Sequence, residues 1–383
     1  MYEASWPLFL HISVLLVSGT AVAFIGVRLA RYTQRIARRT GLGQAITGAL
    51  FLGASTSLSG IVTSVTAAAQ GHAELAAGNA VGGIAAQTVF LALADLVYRR
   101  ANLEHAAASD ENMLQGALLI TLLALSLIAS SLPPVVVLGV HPVSLLLILS
   151  YAAGQRMVYR AKVKDMWRPR ITEYTQREQA GPQETAQPGS QEHVQPGPPE
   201  PAKRSDRRSG RRSDRPSDRR KEAAVGEPMW ALWAKFSAAA VFIAAMGYLL
   251  AGSGVAIAGK TGISETVIGG IFTAVSTSFP ELVTAIAAVR LGALTLAVSD
   301  IIGGNAFDII FLAVADFAYR GGSLYHAMGA RPLFLVMLTI LLTAVLLMGL
   351  IRREKHGIGN IGFESTLLLG IYAGGFALII TVL

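Results

Sequence analysis

The chain of 383 residues is 52% hydrophobic and only 15% charged, with a mean hydropathy of +0.51. Soluble domains carry roughly 25% charged residues, so an ordinary water-soluble globule is excluded, and the absence of cysteine excludes disulfides and thiolate metal sites. The formal charge of +8 does not by itself indicate nucleic acid, because its placement along the chain decides what it can do.

Apolar runs of about 20 residues, enough to cross a ~30 Å hydrocarbon core, recur from end to end. The first is Leu8–Ala30. Its Leu8–Val17 run followed by Ala21-Val22-Ala23 has the outline of a secretory leader. No basic stretch precedes it and the apolar run continues to Ala30, so a retained helix is expected. Gln44–Ala69, Leu75–Tyr98, Met113–Ser131 and Val135–Tyr151 complete a first half, residues 1–159. Residues 160–227 are a different material, rich in Pro, Gly, Gln, Ser, Arg and Glu, and ending in the basic tract Arg204–Lys221. Such a composition cannot bury enough apolar surface to fold alone, so a disordered basic linker is expected. Contact with anionic lipid is a second role for it. No aromatic residues interleave the tract to stack on bases, so nucleic acid is not an expected partner. Trp230–Ala256, Glu265–Val289, Leu294–Tyr319, Pro332–Ile351 and Phe363–Leu383 make up the second half, residues 228–383.

The two halves repeat each other. Thr40–Arg99 and Thr261–Arg320 align without a gap at a constant offset of 221. Thr56–Thr63 (T-S-L-S-G-I-V-T) answers Thr277–Thr284 (T-S-F-P-E-L-V-T), and Gly78–Ile84 (G-N-A-V-G-G-I) answers Ser299–Asn305 (S-D-I-I-G-G-N). Five spans per half is an odd number, so the second half enters the membrane upside down. The expected fold is an all-α integral membrane protein, with ten transmembrane helices as two inverted five-helix repeats. Basic residues set its orientation. Arg28, Arg31, Arg35, Arg38, Arg39, Arg99, Arg100, the linker, Arg290, Arg352, Arg353 and Lys355 all fall on one face. Only Lys260, Arg320 and Arg331 fall on the other. The first face is therefore cytoplasmic and both termini lie outside, in what is expected to be a prokaryotic inner (plasma) membrane.

Paired polar, glycine-broken segments in corresponding halves point to a transport site. Thr56-Ser57 and Thr277-Ser278 lie in mid-span, and Pro280-Glu281 follows the second pair. Proline displaces the carbonyl four residues earlier, that of Ser276. That carbonyl, the hydroxyls of Thr277, Ser278 and Thr284, and the Glu281 carboxylate are hard oxygen donors at one depth. Thr277 and Thr284, at i−4 and i+3 from Glu281, share its helical face. A carboxylate at the midplane costs at least ~2.5 kcal/mol on insertion scales, which marks it as functional. On the next helix Asp300 and Asn305 flank Gly303-Gly304, while Asn79 precedes Gly82-Gly83. Glycine pairs serve either close packing or a helix distortion that turns carbonyls to an ion, and both roles stay open. Asp308 follows eight residues after Asp300 and corresponds to Gln87. The remaining charges read as structural. Asp95–Arg99 and Asp316–Arg320 form i,i+4 pairs anchoring helix ends at the interface. Glu265 and Glu364 occupy first helical turns, where the macrodipole favours an anion. His11 packs within its helix.

At these residues the chain resembles the calcium/cation antiporter superfamily, the sodium/calcium exchanger group. Its hallmark is G-T-S-x-P-E-L on one helix and G-N/D-x-x-G-S-N on the next, in each of two inverted repeats. The resemblance implies that Glu281, Asp300, Thr277 and Ser278, with Asn79, Thr56 and Ser57, bind the ion, and that helices 1 and 6 rock past a core of helices 2, 3, 7 and 8. The first repeat departs from the pattern: Ser59-Gly60 stands in place of Pro-Glu and Ile84 in place of asparagine. Calcium prefers six to eight oxygens, and Glu281 and Asp300 still offer two carboxylates. The expected function is a secondary-active antiporter exchanging sodium or protons against calcium. A monovalent cation/proton antiporter and a non-transporting homologue with a regulatory linker are the alternatives. Neither enzymatic activity nor a cofactor is expected; membrane lipid and inorganic cations are the partners.

Overall fold

The computed structural model describes residues 6–40, 53–97, 109–162, 227–290, 294–352 and 362–383. The linker reading for 163–226 and the positions of Arg99 and Arg100 fall outside them. The described residues are helical, apart from loops and one isolated bridge between Val137 and Val140. In chain order the helices are α1 (Leu8–Thr40), the short α2 (Gly53–Thr56), α3 (Leu58–Ala69), α4 (Ala73–Val97), α5 (Asp110–Ser131) and α6 (Pro142–Lys162). The second half has α7 (Met229–Thr261), α8 (Glu265–Arg290), α9 (Leu294–Asp308), α10 (Ile310–Ala318), the short α11 (Leu324–Ala327), α12 (Ala330–Arg352) and α13 (Phe363–Thr381).

Eight of these helical stretches, with α9 and α10 taken together, are long and apolar enough to cross a membrane. Two predicted spans are not among these eight: Gln44–Ala69 is described only from Gly53, with α3 holding 12 residues, and the apolar run of α6 is interrupted by Gln155 and Arg156. α6 also differs from its predicted bounds, Val135–Tyr151. Residues 132–141 form a loop before it, because Pro133 and Pro134 lack amide donors and Gly139 takes a φ of 84°. Pro142 then opens the helix, where a fixed φ is favourable and its missing N–H costs nothing.

α4 is enclosed along its whole apolar length and forms the centre of the bundle. It meets α8 backbone to backbone through Gly78-x-x-x-Gly82. A Cβ on Gly82 would lie 2.4 Å from the Cα of Gly270, which sits in a π-helical turn, Ile268–Thr273. Small residues four apart let transmembrane backbones approach this closely.

The expectation that Asp95 and Asp316 anchor helix ends at the interface is overturned. Both are fully buried and cap helices of the opposite half. Asp316 Oδ2 accepts from the His141 backbone N–H (2.8 Å) and Ser144 Oγ (2.7 Å), and its Oδ1 accepts from the Leu324 N–H (2.7 Å). Asp95 Oδ2 accepts from the Gly362 N–H (3.3 Å) and Ser365 Oγ (3.0 Å). The orphan amides of a buried helix start need such acceptors. Donors and acceptors in the two sets are separated by the same offset of 221 that relates the repeats.

Other contacts gather the loops into two faces. His72 pairs with Glu265 at 2.6 Å, Thr266 donates to Glu74, and His326 contacts the Leu132 carbonyl. On the opposite face Arg39 donates to the Glu227 carbonyl, beside the Lys235–Glu227 ion pair, and Arg352 lies over the Phe363 ring. Asp316→Ala should leave two buried backbone donors, of His141 and Leu324, unpaired and Ser144 with Tyr325 alone, and cost on the order of 3 kcal/mol, read as a lower Tm of the detergent-solubilised protein. His141, in the loop before α6, is held neutral: burial lowers its pKa from 6.5, with His326 adding to the effect and Asp316 opposing it. Its Nδ1 accepts from the Val143 N–H. Unfolding would let this imidazole take up a proton, so its contribution to stability is complete above about pH 6.5 and declines as pH falls. Thermal melts at about pH 7.5 and about pH 5 should show a loss that His141→Asn reduces.

Candidate cation site

The centre of the bundle is built where helices break. The chain turns at Ser57, between α2 and α3, and again after Asp308, between α9 and α10. These two residues bond to each other: Ser57 Oγ donates to Asp308 Oδ1 at 2.6 Å. Gln87 Nε2, on α4, donates to Asp308 Oδ2 at 2.7 Å and to Ser278 Oγ, on α8, at 3.2 Å. Ser57 and Ser278 are repeat mates, as are Gln87 and Asp308, so each half sends a serine to the other half's polar residue. Asp308 is 2% exposed.

Glu281 lies beside this network and is 7% exposed. Neither of its carboxylate oxygens receives a hydrogen bond of good geometry, although Thr56 of the first half lies beside them. Thr56 and Thr277 turn their hydroxyls back to Gly53 O (3.1 Å) and Ala274 O (3.0 Å), one turn earlier in each repeat. Ser59 Oγ donates to the Thr277 carbonyl at 3.3 Å, close to the helical defect that Pro280 imposes.

The other predicted residues are distributed differently. Asn79 is buried, but its amide is already engaged: Nδ2 donates to Gly60 O (3.1 Å) and Ser64 Oγ (2.9 Å), and Oδ1 accepts from Thr273 (2.9 Å). It ties α3, α4 and α8 together. Asp300, its repeat mate, is exposed, eight residues and roughly 12 Å of helix rise before Asp308. Asn305 donates to Thr88 Oγ1 at 3.0 Å and keeps its Oδ1 unbonded. The Ser276 side chain faces Gly19 of α1, where a Cβ would lie 2.8 Å from its Oγ. It lines an apolar groove of about 610 Å³ between α1 and α8, which includes neither Glu281 nor Asp308.

Gln87 was visible in the sequence only as the counterpart of Asp308, and Gln115 on α5 carried no signal. The glycine pairs explain both. A Cβ on Gly304 would lie 3.6 Å from Gln87 Oε1, one on Gly303 2.9 Å from Gln115 Oε1, and one on Gly83 3.3 Å from Ser278 Oγ. Three of the four glycines therefore admit polar side chains, and Gly82 alone serves backbone packing. Gln87 Oε1, Gln115 Oε1, Asn305 Oδ1 and both Glu281 oxygens are buried without hydrogen-bond partners. All are oxygens, the donor type that hard cations take, and buried acceptors are rarely left in this state without a role.

Comparison with known proteins identifies the family and the fold. The profile of the family described as sodium/calcium exchanger protein matches residues 10–154 and 231–381. Sodium/potassium/calcium exchanger 1 of Gallus gallus is 33% identical over 117 residues, which is 29% of this chain and 18% of that protein. Inner membrane protein YrbG of Escherichia coli (strain K12) is 33% identical over 97 residues, 25% of this chain and 30% of that protein. These matches thus span less than a third of either relative. The crystal structure of the H+/Ca2+ exchanger CAX shares the fold with a TM-score of 0.59, covering 97% of this chain and 85% of that one at 14% identity.

Asp308 depends on its two donors. Ser57→Ala and Gln87→Leu should each cost about 1.5–3 kcal/mol, the range for hydrogen bonds to a charged group. Because both act on one carboxylate, the double variant should depart from additivity by at least ~0.5 kcal/mol in denaturant-induced or thermal unfolding.

Proposed function

We propose, for a chain that belongs to the sodium/calcium exchanger protein family, that it is a secondary-active antiporter exchanging sodium or protons against calcium by alternating access. Exchange of cations across a membrane follows from the family; the identity of the counter-ion is our reading. The observation that supports it is the pair Glu281 and Asp308, both buried beside helix breaks, with Gln87 bridging Asp308 to Ser278 one turn before Glu281. Two carboxylates can neutralise one calcium ion, or two sodium ions or protons, so either load leaves the centre uncharged. That equivalence is what lets one site exchange the two. The ligand set we propose is Glu281 and Asp308 with Thr56, Ser57, Thr277 and Ser278, joined by Gln87 and Asn305. Asp300 sits in the middle of α9, exposed, as an approach carboxylate, while Asn79 and Ser276 position their helices.

The architecture we infer is ten crossings in two inverted five-helix repeats, with residues 40–69 and α6 counted among them. The equal separation of α1 from α7 and of α6 from α13 supports it: Leu8 and Met229, like Pro142 and Phe363, differ by 221. Both termini lie outside and the basic face is cytoplasmic, in an inner membrane like that of the YrbG relative. A second reading, exchange of monovalent cations and protons only, draws on one observation: the repeat mates of Glu281 and Asp308 are the neutral Gly60 and Gln87.

Flux in proteoliposomes separates these readings. Purified protein with internal sodium, or an acidic interior, should accumulate external calcium, and the gradient that drives uptake identifies the counter-ion. Glu281→Gln should lower uptake by at least about tenfold, the factor that corresponds to ~1.4 kcal/mol of lost ligand interaction. Sodium–proton exchange without calcium movement would establish the second reading. No gradient-coupled flux of any of these ions would remove the transport assignment.

A further inference from the structure

The repeat predicts a second carboxylate that the chain does not have, and the structure shows what stands there instead. Gly60 is the mate of Glu281. It is buried on α3, and its carbonyl is engaged by Asn79. A Cβ on Gly60 would lie 2.8 Å from Phe311 Cε2 and 3.6 Å from Cδ2 and Cζ. The space into which a first-half acid would grow is thus filled by the edge of an aromatic ring. That ring is 4% exposed and belongs to α10, three residues beyond Asp308.

Phe311 is firmly held. It meets Phe307 edge to face with ring centroids 6.2 Å apart, and Phe307 meets Tyr151 of α6 in the same manner at 6.0 Å. Phe307 in turn covers Gly53, where a Cβ would lie 3.6 Å from its Cγ. Two rings therefore seat on two glycines seven residues apart, on one face of the α2–α3 segment. The pairs Gly53–Phe307 and Gly60–Phe311 bracket Thr56 and Ser57. Stacked aromatic edges of this kind have defined geometry and little freedom to swing aside.

We infer that Phe311 is a specificity-determining residue: it closes the half-site that Gly60 vacates and confines the negative charge of the centre to Glu281 and Asp308. This rests on the site proposed above and deepens it by stating its load, one divalent ion or two monovalent ions per cycle. With an apolar wall on the first-half side, calcium loses a potential charged ligand, while sodium and protons, which need fewer, lose less. Phe311 touches no cargo itself; it acts by deciding whether a side chain at position 60 can reach the site. Glycine alone would leave a void open to water or to a further cation, and the ring removes that void.

Calcium binding to the purified full-length protein, measured by titration calorimetry, tests this with four chains: wild type, Gly60→Glu, Phe311→Ala and the double variant. Gly60→Glu alone should gain no affinity and should lower Tm, because the ring blocks its Cβ. Phe311→Ala alone should gain none. The double variant should bind calcium at least about tenfold more tightly than Phe311→Ala. Gly60→Ala read by Tm, with and without Phe311→Ala, reports the same contact without a new charge; the alanine should destabilise the wild type and not the Phe311→Ala chain. Equal gain in Gly60→Glu with and without the ring, no gain in the double variant, or additive Tm shifts would each overturn the inference. Glu281→Gln in the wild-type background separates the two levels: if it leaves calcium binding intact, the site itself is misassigned, whatever Phe311 does.

Discussion

Two carboxylates buried at the centre of a membrane bundle without a basic partner set the terms for everything around them. Among the described residues, no lysine or arginine pairs with Glu281 or Asp308. An ionised group in such surroundings costs several kcal/mol unless its charge is met. Asp308 is met in part, by a serine hydroxyl and a glutamine amide. Glu281 is not. A structural buried acid would be expected to gather donors, as Asp316 does with three. The contrast between these two acids in one chain separates a scaffold group, already satisfied, from a group whose partner must arrive from outside.

The duplication was legible because its scaffold has been kept. The Asp95 and Asp316 caps, the Thr56 and Thr277 back-bonds and the crossed Ser57–Asp308 and Gln87–Ser278 contacts all obey one offset. Divergence at the centre includes Gly60 with Glu281 and Gln87 with Asp308, beside Ser59 with Pro280, Asn79 with Asp300 and Ile84 with Asn305. At positions 60/281 and 87/308 only the second half carries a carboxylate, while the hydrogen-bonded framework around them is common to both halves.

What escaped the sequence did so for physical reasons. A repeated motif shows where a polar residue stands along a helix, but not which way the helix turns it after a break. Asn79 and Asp300 occupy the motif positions, yet one is consumed by three hydrogen bonds and the other is exposed. Asp308, at the end of α9, reaches the centre because the helix yields immediately after it. The capping role of Asp95 was hidden by its spacing to Arg99, which satisfies a local rule, whereas its partners lie some 270 residues away. Local patterns rank local partners first, and a bundle of this topology makes its decisive contacts between halves. Composition was enough for the membrane class, and an internal comparison for the repeat.

Rocking of α1 and α7 past the core, which the family resemblance implies, would draw on how unevenly the helices are joined. α4 and α8 are bound by backbone contact at Gly78 and Gly82 and by the Thr273–Asn79 bond, so sliding between them would break a close fit. α1 meets α8 at Gly19 over Ser276 and Gly26 over Pro280, and α7 meets α3 at Gly247 over Ser59. Gly26 with Pro280 and Gly247 with Ser59 are again repeat mates. At Gly26 and Gly247 glycine meets proline or backbone, and Thr63 donates to the Gly247 carbonyl. A layer that slides on glycine beside a layer locked by glycine is the mechanical difference that alternating access requires. Both contacts lie against the turn of helix that carries position 60 or 281, so displacement of either long helix would change the walls of the site before it disturbed its ligands.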